Sequence, residues 1–262
     1  MSLGKPFHSM DLLGVRVDRI HLTELLGFLR DAGNSDRPVS VLYLNPHVWN
    51  LTRNDSDLLA ALDGADVVWC DGVGILLAAW VLGSRLPERM TVPDFIDDVC
   101  HQCVVDSRSL YFLGGEEGVA RRTAEILRRR HPGLKVVGSH HGYLGKPEVE
   151  AKVLGEIRRL APDLLLVGMG SPRQEMWIAR HLQGLNVKVG WAVGALFDHL
   201  TGKVPRAPHW ASTHGLEWLY RLMVEPRRLW RRYLLGNARF LAAVIAARMS
   251  GVRARTSGGW SH

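Results

Sequence analysis

Short apolar runs alternate with longer amphipathic segments along most of this chain, and several of the runs end in glycine. Such alternation is typical of α/β proteins, in which each strand is followed by a helix that packs back onto a largely parallel sheet. The pattern predicts strands at residues 39–44, 66–69, 110–113, 135–138, 163–167 and 187–193. It predicts helices at residues 57–62, 75–81, 119–130, 148–160 and 175–182. We therefore expect a Rossmann-like sheet flanked by helices.

The last sixty residues differ from the rest in charge. Residues 203–262 hold eleven Lys or Arg and two Glu, which leaves 22 basic and 24 acidic residues in 1–202. Arg, Trp, Tyr and Leu interleave at helical spacing from Glu217 to Leu234, a composition suited to an anionic membrane surface or a phosphate-bearing lipid. A core-packed helix pair with a solvated basic face is the alternative. We predict an α/β domain over 1–202, with a weaker subdomain boundary at 103–108, and a basic helical appendage over 203–262.

Composition narrows the class of protein. The three cysteines are an odd number without a secretory pattern, which favours a reducing cytoplasm. No run of eighteen apolar residues occurs, so we expect a soluble or peripheral protein. The pI near 9.7 is compatible with nucleic-acid binding, but the body is slightly acidic and carries no nucleic-acid-binding motif. We therefore expect no nucleic-acid partner.

Two glycine turns follow predicted strands and precede predicted helices. Gly114 and Gly115 form the first turn; Gly168 and Gly170 form the second, with Gln174 shortly after it. Such turns expose backbone N–H groups that can hold a phosphate, although glycine is also used merely to make a turn. No acidic residue lies about twenty positions after Gly118, which argues against NAD.

Polar side chains follow the first two strands. Asp71 comes directly after an apolar run and before glycines, where catalytic carboxylates are often presented, but Asp is also a favoured helix N-cap. Asn45 similarly follows the first strand as a candidate site residue; the alternative is that it only forms the turn. Arg89 could clamp a diphosphate, or simply be a cation at a helix C-terminus.

Two other motifs are read as structural. Asp55-Ser56-Asp57 has the form of a metal-binding DxD, but it follows no strand and precedes a helix, which favours an N-cap. Cys100 and Cys103 form a lone CxxC without the second pair of a zinc site or the context of a thioredoxin motif. We expect no metal and no other cofactor.

Taken together, these segments resemble the WecG/TagA/CpsF family of bacterial glycosyltransferases from about Asn45 to Phe240. The residues that carry the resemblance lie at 70–74, 88–91, 112–115, 141–143, 162–175, 193–195, 202–208, 215–221 and 225–234. One departure is Val92, where many members have Gly.

The resemblance implies an inverting, metal-independent transfer of a sugar from a UDP-sugar to a polyprenyl-diphosphate-linked sugar. It also implies peripheral attachment to the cytoplasmic face of the membrane. By position in the family motifs, Asp71 would be the catalytic base. Donor-binding roles would fall on Asn45, Arg89 and Gln174 and on the glycine turns. Arg221, Arg228 and Arg231 would meet the acceptor diphosphate.

The sugar stays open among an N-acetylmannosamine-type sugar, its uronic acid and a hexose. A nucleotide-dependent oxidoreductase and a non-catalytic peripheral membrane scaffold are the two alternative functions. An exposed apolar face on the tail would also favour a homo-oligomer away from membrane.

Overall fold

The computed structural model describes residues 6–208, 211, 215–252 and 254–256. Its centre is a six-stranded sheet in the order β4-β3-β8-β7-β5-β6, in which every neighbouring pair is parallel. The strands are β3 (Val39–Leu44), β4 (Val67–Cys70), β5 (Ser109–Gly114), β6 (Lys135–His140), β7 (Leu164–Gly168) and β8 (Val189–Ala192). All but the edge strand β6 are almost wholly buried, as expected for a parallel sheet covered on both faces.

The α/β class predicted from the sequence is confirmed. The helices of the body are α1 (Leu22–Ala32), α2 (Pro46–Thr52), α3 (Ser56–Gly64), α4 (Val73–Val81), α5 (Val92–Val105), α6 (Val119–Arg130), α7 (Pro147–Leu160), α8 (Arg173–His181) and α9 (Leu196–Leu200). Asp55 caps α3 by accepting a hydrogen bond from the backbone N–H of Leu58, which confirms its interpretation as an N-cap. The sequence prediction missed α1, α2, α5 and α9.

A small antiparallel sheet lies outside the pattern that the sequence revealed. It contains β1 (Ser9–Asp11), β2 (Arg16–Asp18) and β9 (Arg255–Thr256), in the order β2-β1-β9. Its hairpin is joined to the central sheet because Asp18 accepts a hydrogen bond from the backbone N–H of Val68. Arg16, paired with Asp18 and almost fully buried, donates to the carbonyl of Ala65. The N-terminal and C-terminal segments thus meet beside β4.

The basic tail folds over the body as helices α10 (Glu217–Val224), α11 (Pro226–Trp230) and α12 (Gly236–Met249), with a π-helical turn at Arg231–Leu235. Phe240 packs edge-on against Trp49 of α2, with ring centroids 5.2 Å apart. Asn50 of α2 donates a hydrogen bond to the carbonyl of Gly236. The tail so placed brings Arg221, Arg228 and Arg232 beside the carboxyl ends of the strands. None of the helices in the described part of the chain is long and apolar enough to cross a bilayer.

Candidate active site

Asp71 and Asn45 lie side by side where β4 and β3 end. The backbone N–H of Asp71 continues the sheet by donating to the carbonyl of Leu44. Asn45 caps α2, since its Oδ1 accepts from the N–H of Val48 at 2.9 Å, and its Nδ2 donates to Oδ2 of Asp71 at 2.9 Å. The N-cap of α4 is Gly72 at φ 83°, not Asp71. Both side chains of the Asp71–Asn45 pair are therefore held in place, and one carboxylate oxygen of Asp71 is free of this hydrogen bond.

The surroundings of Asp71 make its carboxylate more basic than usual. The pKa of Asp71 is raised from 3.8 to about 6, mainly by burial and to a smaller extent by the charge of Glu217. The hydrogen bond from Asn45 and the charges of Arg232 and Arg221 lower the pKa and oppose these effects. A carboxylate with this pKa is ionised at neutral pH and accepts a proton more readily than an exposed one.

A polar cavity of about 490 Å³, here called the strand-end cleft, opens at the carboxyl ends of the strands. Its body wall includes Tyr43, Asn45, Asp71, Gly115, Gly168 and Gly170. The tail contributes Lys203, Glu217, Arg221, Glu225, Arg228 and Arg232. In open α/β sheets this edge is where ligands bind, and the volume is ordinary for a small-molecule site.

The predicted glycines divide into lining and packing positions. Gly115, Gly168 and Gly170 line the strand-end cleft. Gly114 does not; a Cβ at this position would overlap the carbonyl group of Gly168 on the adjacent strand. The N–H of Gly115 is already taken by the carbonyl of Gly168, at 3.0 Å. The close approach of β5 to β7 therefore explains the first glycine turn at least as well as a phosphate ligand.

Gln174 lies beneath the cleft and has no exposed surface. Its Nε2 donates to the hydroxyl of Tyr43 at 2.8 Å, and its Oε1 accepts from the N–H of Gly194 at 3.1 Å. The adjacent Glu175 accepts from Ser171 at 2.7 Å and from Gln174 at 2.9 Å. Burial raises the pKa of Glu175. As placed here, Gln174 supports the wall of the cleft from behind.

A second cavity, of about 420 Å³, lies on the other side of Asp71 between α4 and the tail; we call it the apolar groove. Its apolar walls include Val73, Leu77, Ala78 and Val81 of α4 with Trp218, Phe240, Leu241 and Val244 of the tail. Asn45, Asp71, Thr91, Glu217, Arg221 and Arg232 line both cavities. Asp71 therefore stands at the junction between a polar cleft and an apolar groove.

Arg89 lines the apolar groove and is held by two acidic side chains. Its Nη2 is 3.1 Å from Oδ2 of Asp94, and its Nη1 is 3.5 Å from Oε2 of Glu217 in the tail. Glu217 thus connects the tail to Arg89, the body residue predicted to bind a diphosphate. Its negative charge also raises the pKa of Asp71. Sequence reasoning did not single out Glu217, although it lies within the quoted tail motif.

The tail arginines are placed differently from one another. Arg221, Arg228 and Arg232 line the strand-end cleft, whereas Arg231 does not line either cavity and sits 5.3 Å from the ring of Trp230. The Nε atoms of Arg221 and Arg232 are buried without a hydrogen-bond acceptor among the residues that the structure describes. Two buried donors on cationic groups beside Asp71 suit an anion, and diphosphate oxygens fit them well.

Other polar positions of the site were not predicted. Asp198 and His199 of α9 also line the cleft, and burial raises the pKa of Asp198 while it lowers that of His199 to about 4. Both come shortly after Gly194, which follows β8, and this glycine is the signal that could have identified them. Val92 begins α5 and is buried while lining the cleft. Among the described residues, no group of three or more His, Cys, Asp or Glu is placed to hold a metal ion.

Comparison with known proteins decides the family. The model of the Glycosyl transferase WecG/TagA/CpsF family matches residues 10–254. The chain belongs to this family. This WecG/TagA/CpsF chain is 30% identical over 207 residues, 78% of each chain, to the N-acetylglucosaminyldiphosphoundecaprenol N-acetyl-beta-D-mannosaminyltransferase of Bacillus spizizenii. The protein of the same name from Staphylococcus aureus (strain MRSA252) is 26% identical over 224 residues, 85% of this chain and 87% of that one.

The family match reaches beyond the segment on which the resemblance was first seen. It begins at residue 10, within the β1–β2 hairpin, and ends at residue 254, just before β9. The family match therefore covers nearly all of the β1–β2 hairpin, the central sheet and the tail helices, whereas β9 lies just beyond it. The resemblance inferred from the motifs is confirmed.

Proposed function

We propose that this chain is an inverting, metal-independent glycosyltransferase that moves a sugar from a UDP-sugar to a polyprenyl-diphosphate-linked sugar. The reaction would belong to cell-surface polysaccharide or teichoic-acid biosynthesis. The observation that carries the proposal is the position of Asp71 between the polar cleft and the apolar groove, facing two arginines with unpartnered Nε donors. A nucleotide-sugar fits the cleft, and a lipid-linked acceptor fits an approach from the groove.

In the proposed reaction Asp71 is the general base. Its carboxylate accepts the proton of the acceptor hydroxyl while the hydroxyl oxygen attacks the anomeric carbon of the donor sugar. The new bond forms on the face opposite UDP, the bond from the anomeric carbon to the UDP oxygen breaks, and the configuration inverts. Asn45 holds one carboxylate oxygen at 2.9 Å, so the other can face the hydroxyl. Proton removal by a placed base is worth roughly 10²-fold to 10⁴-fold in rate.

The leaving UDP gains negative charge as the bond breaks. In this proposal Arg228 and Lys203 of the tail, which line the strand-end cleft but not the apolar groove, supply the compensating positive charge that a metal ion supplies in other transferases. Both come from residues 203–262, whereas Asp71, Asn45 and the glycine turns come from 1–202. The proposed division into an α/β domain and a basic appendage therefore also divides the chemistry: the body carries the base and the tail carries the anion-binding groups.

The proposed location is the cytoplasmic face of the membrane, with peripheral attachment through the tail. Many of the exposed large apolar side chains belong to tail helices, among them Met223, Trp230, Leu234, Leu241 and Met249. Exposed arginines lie between them, which is the composition of a helix that rests on an anionic surface.

A UDP-release assay across a panel of UDP-sugars tests the proposal. The first donor is UDP-N-acetylmannosamine, and the acceptor is N-acetylglucosaminyl diphosphate on a short prenyl chain, because the names of the two relatives specify these sugars. We expect UDP release that depends on the acceptor with one donor of the panel. No release from any donor, together with no change in melting temperature on adding UDP, would favour the membrane-scaffold alternative.

A further inference from the structure

We propose that the apolar groove between α4 and α12 binds the first isoprene units of the acceptor's prenyl chain, so that the protein holds hydrocarbon as well as sugar and diphosphate. This inference rests on the proposed function and adds a lipid subsite to it. The occupant is a linear isoprenoid attached to a diphosphate, and the argument comes from the walls, the ends and the charge of the groove.

The walls of the groove are apolar along two facing helices. Leu77, Ala78 and Val81 lie on α4 of the body, and Phe240, Leu241 and Val244 lie on α12 of the tail. Its volume of about 420 Å³ is that of a small-molecule site and not of a packing defect. Helices that met only to complete a core would close such a space, because protein interiors are packed to crystal-like density.

The inner end of the groove is charged, in contrast to its walls. Arg89, Arg221 and Arg232 line it there, next to Asp71. The buried Nε donors of Arg221 and Arg232 have no acceptor among the residues described in this structure. A molecule with a diphosphate at one end and a hydrocarbon chain at the other matches this distribution: the diphosphate meets the arginines, and the chain lies along the walls.

The outer part of the groove is exposed and apolar. Leu77 is 55% exposed and Leu241 is 57% exposed, although both line the groove. One turn further along the same two helices, Trp80 is 64% exposed and Ile245 is 49% exposed. Apolar side chains that continue outward from a groove provide a path from the arginines to a bilayer, and tryptophan is favoured at the bilayer boundary.

The test measures transfer to a series of detergent-free, water-soluble acceptors that carry one, two or three isoprene units on the same diphosphate-linked sugar. For the wild-type full chain we expect KM for the acceptor to fall about ten-fold with each added unit, since each unit buries further apolar surface. Leu77→Glu places a charge in the groove and should flatten this dependence, raising KM for the three-unit acceptor at least about ten-fold.

Ala242→Glu is the matched control, because Ala242 is exposed on α12 and does not line the groove. It should keep the wild-type dependence on chain length. Melting temperatures show whether the variants fold, and Leu241→Glu on the facing wall replaces Leu77→Glu if that variant does not. Sedimentation of the wild type and Leu77→Glu adds a measurement of oligomeric state.

The outcomes separate the lipid subsite from the proposed function. No transfer to any acceptor would overturn the proposed function. Transfer that is independent of chain length, or equal in Leu77→Glu and Ala242→Glu, would overturn the lipid subsite and leave the transferase standing. A wild-type dimer that Leu77→Glu dissociates, without loss of the chain-length dependence, would assign the groove to a second copy of the chain instead.

Discussion

Asp71 is the residue whose replacement tests the chemistry most directly. Asp71→Asn keeps the size of the side chain and can still accept from Asn45, but it cannot take a proton. We expect kcat to fall about 10²-fold or more, with UDP-sugar binding retained, when turnover is measured by UDP release and binding by calorimetry. A variant that turns over at the wild-type rate would remove Asp71 from the mechanism.

Although Asp71→Asn should lower activity, it should raise the stability of the folded protein at a pH above the pKa of Asp71. Because the pKa of Asp71 is raised from 3.8 to about 6, the folded state binds more protons than the unfolded state between these values, and stability falls as pH rises through them. Replacing the buried charge should therefore raise the melting temperature at pH 8 by roughly a few degrees and change it little at pH below about 4.

Glu217 contributes, after burial, to the raised pKa of Asp71 and so to the pH at which Asp71 can act. Its negative charge raises the pKa of Asp71, so Glu217→Gln should lower that pKa and move the acid limb of the kcat/KM profile to lower pH by several tenths of a unit. Glu225→Gln is the control: Glu225 lines the same cleft but is not among the groups that shift Asp71. Equal profiles for both variants would contradict this role of Glu217.

At the scale of residues, the contact between Asp71 and Asn45 is easier to rationalise from the sequence than the burial of Gln174. Asp71 and Asn45 follow strands that are adjacent in the sheet, so their contact is a consequence of parallel pairing. The burial of Gln174 could not be predicted in the same way. Its neighbours Tyr43 and Gly194 come from β3 and the end of β8, and only the strand order brings them together.

Among the elements, the close pairing of β5 with β7 depends on a glycine. A methyl group at Gly114 would overlap the carbonyl of Gly168, and neither backbone can move without breaking the sheet. We expect Gly114→Ala to lower the free energy of unfolding by about 2 kcal/mol or more, measured by urea denaturation. Gly145→Ala, where no atom lies within 4 Å of the added carbon, should change it by less than about 0.5 kcal/mol. Equal losses would show that packing at Gly114 does not matter.

Two consecutive arginines of the tail, Arg231 and Arg232, allow a direct comparison between a side chain that lines the cleft and one that does not. Arg232 lines the strand-end cleft and Arg231 lies on Trp230, so Arg232→Ala should lower kcat/KM on a soluble short-chain acceptor roughly 10²-fold. Arg231→Ala should lower it less than about three-fold. The opposite order would favour Arg231 as the acceptor-binding residue, as the family motif suggests.

The choice between these arginines could not be made from the sequence, for a physical reason. Residues Arg231–Leu235 form a π-helical turn, which changes the angle between successive side chains from that of an α-helix. Helical spacing therefore predicts a basic face but not which arginine faces the site. α5 was missed for a different reason. Its N-terminus at Val92 follows no predicted strand, and Pro93 was not recognised as a first-turn proline.

For the molecule as a whole, the alternation of strands and helices was sufficient to predict the α/β sheet, whereas the route of the tail was not predictable. Three contacts hold the tail: the ring of Phe240 packs against Trp49, Asn50 donates a hydrogen bond to the carbonyl of Gly236, and β9 pairs with β1. All three join residues that are far apart in sequence. Whether residues 1–202 and 203–262 behave as separate domains stays a prediction. Lys203 and Arg206 nevertheless pair with Glu116 and Asp94 of the body, so the tail approaches the body from its first residues.

The charge imbalance between tail and body predicts how the whole molecule meets a membrane. Arg227, Arg231 and Arg239 are exposed on tail helices and line neither cavity. Replacing all three with Gln should weaken binding to anionic vesicles roughly 10²-fold, because each basic residue near such a surface contributes about 1 kcal/mol. Vesicle co-sedimentation measures this, and added salt should weaken wild-type binding in the same way.

The matched control removes the same net charge from the body. Arg121, Arg122 and Arg129 are exposed on α6, and their replacement with Gln should leave vesicle binding within about three-fold of the wild type if the tail makes the contact. Equal losses from the two triple variants would mean that net charge alone attracts the protein to the surface. Loss confined to the tail variant, with transfer to a soluble acceptor retained, would separate the arginines that meet the membrane from Arg221 and Arg232, for which we propose contact with the acceptor diphosphate.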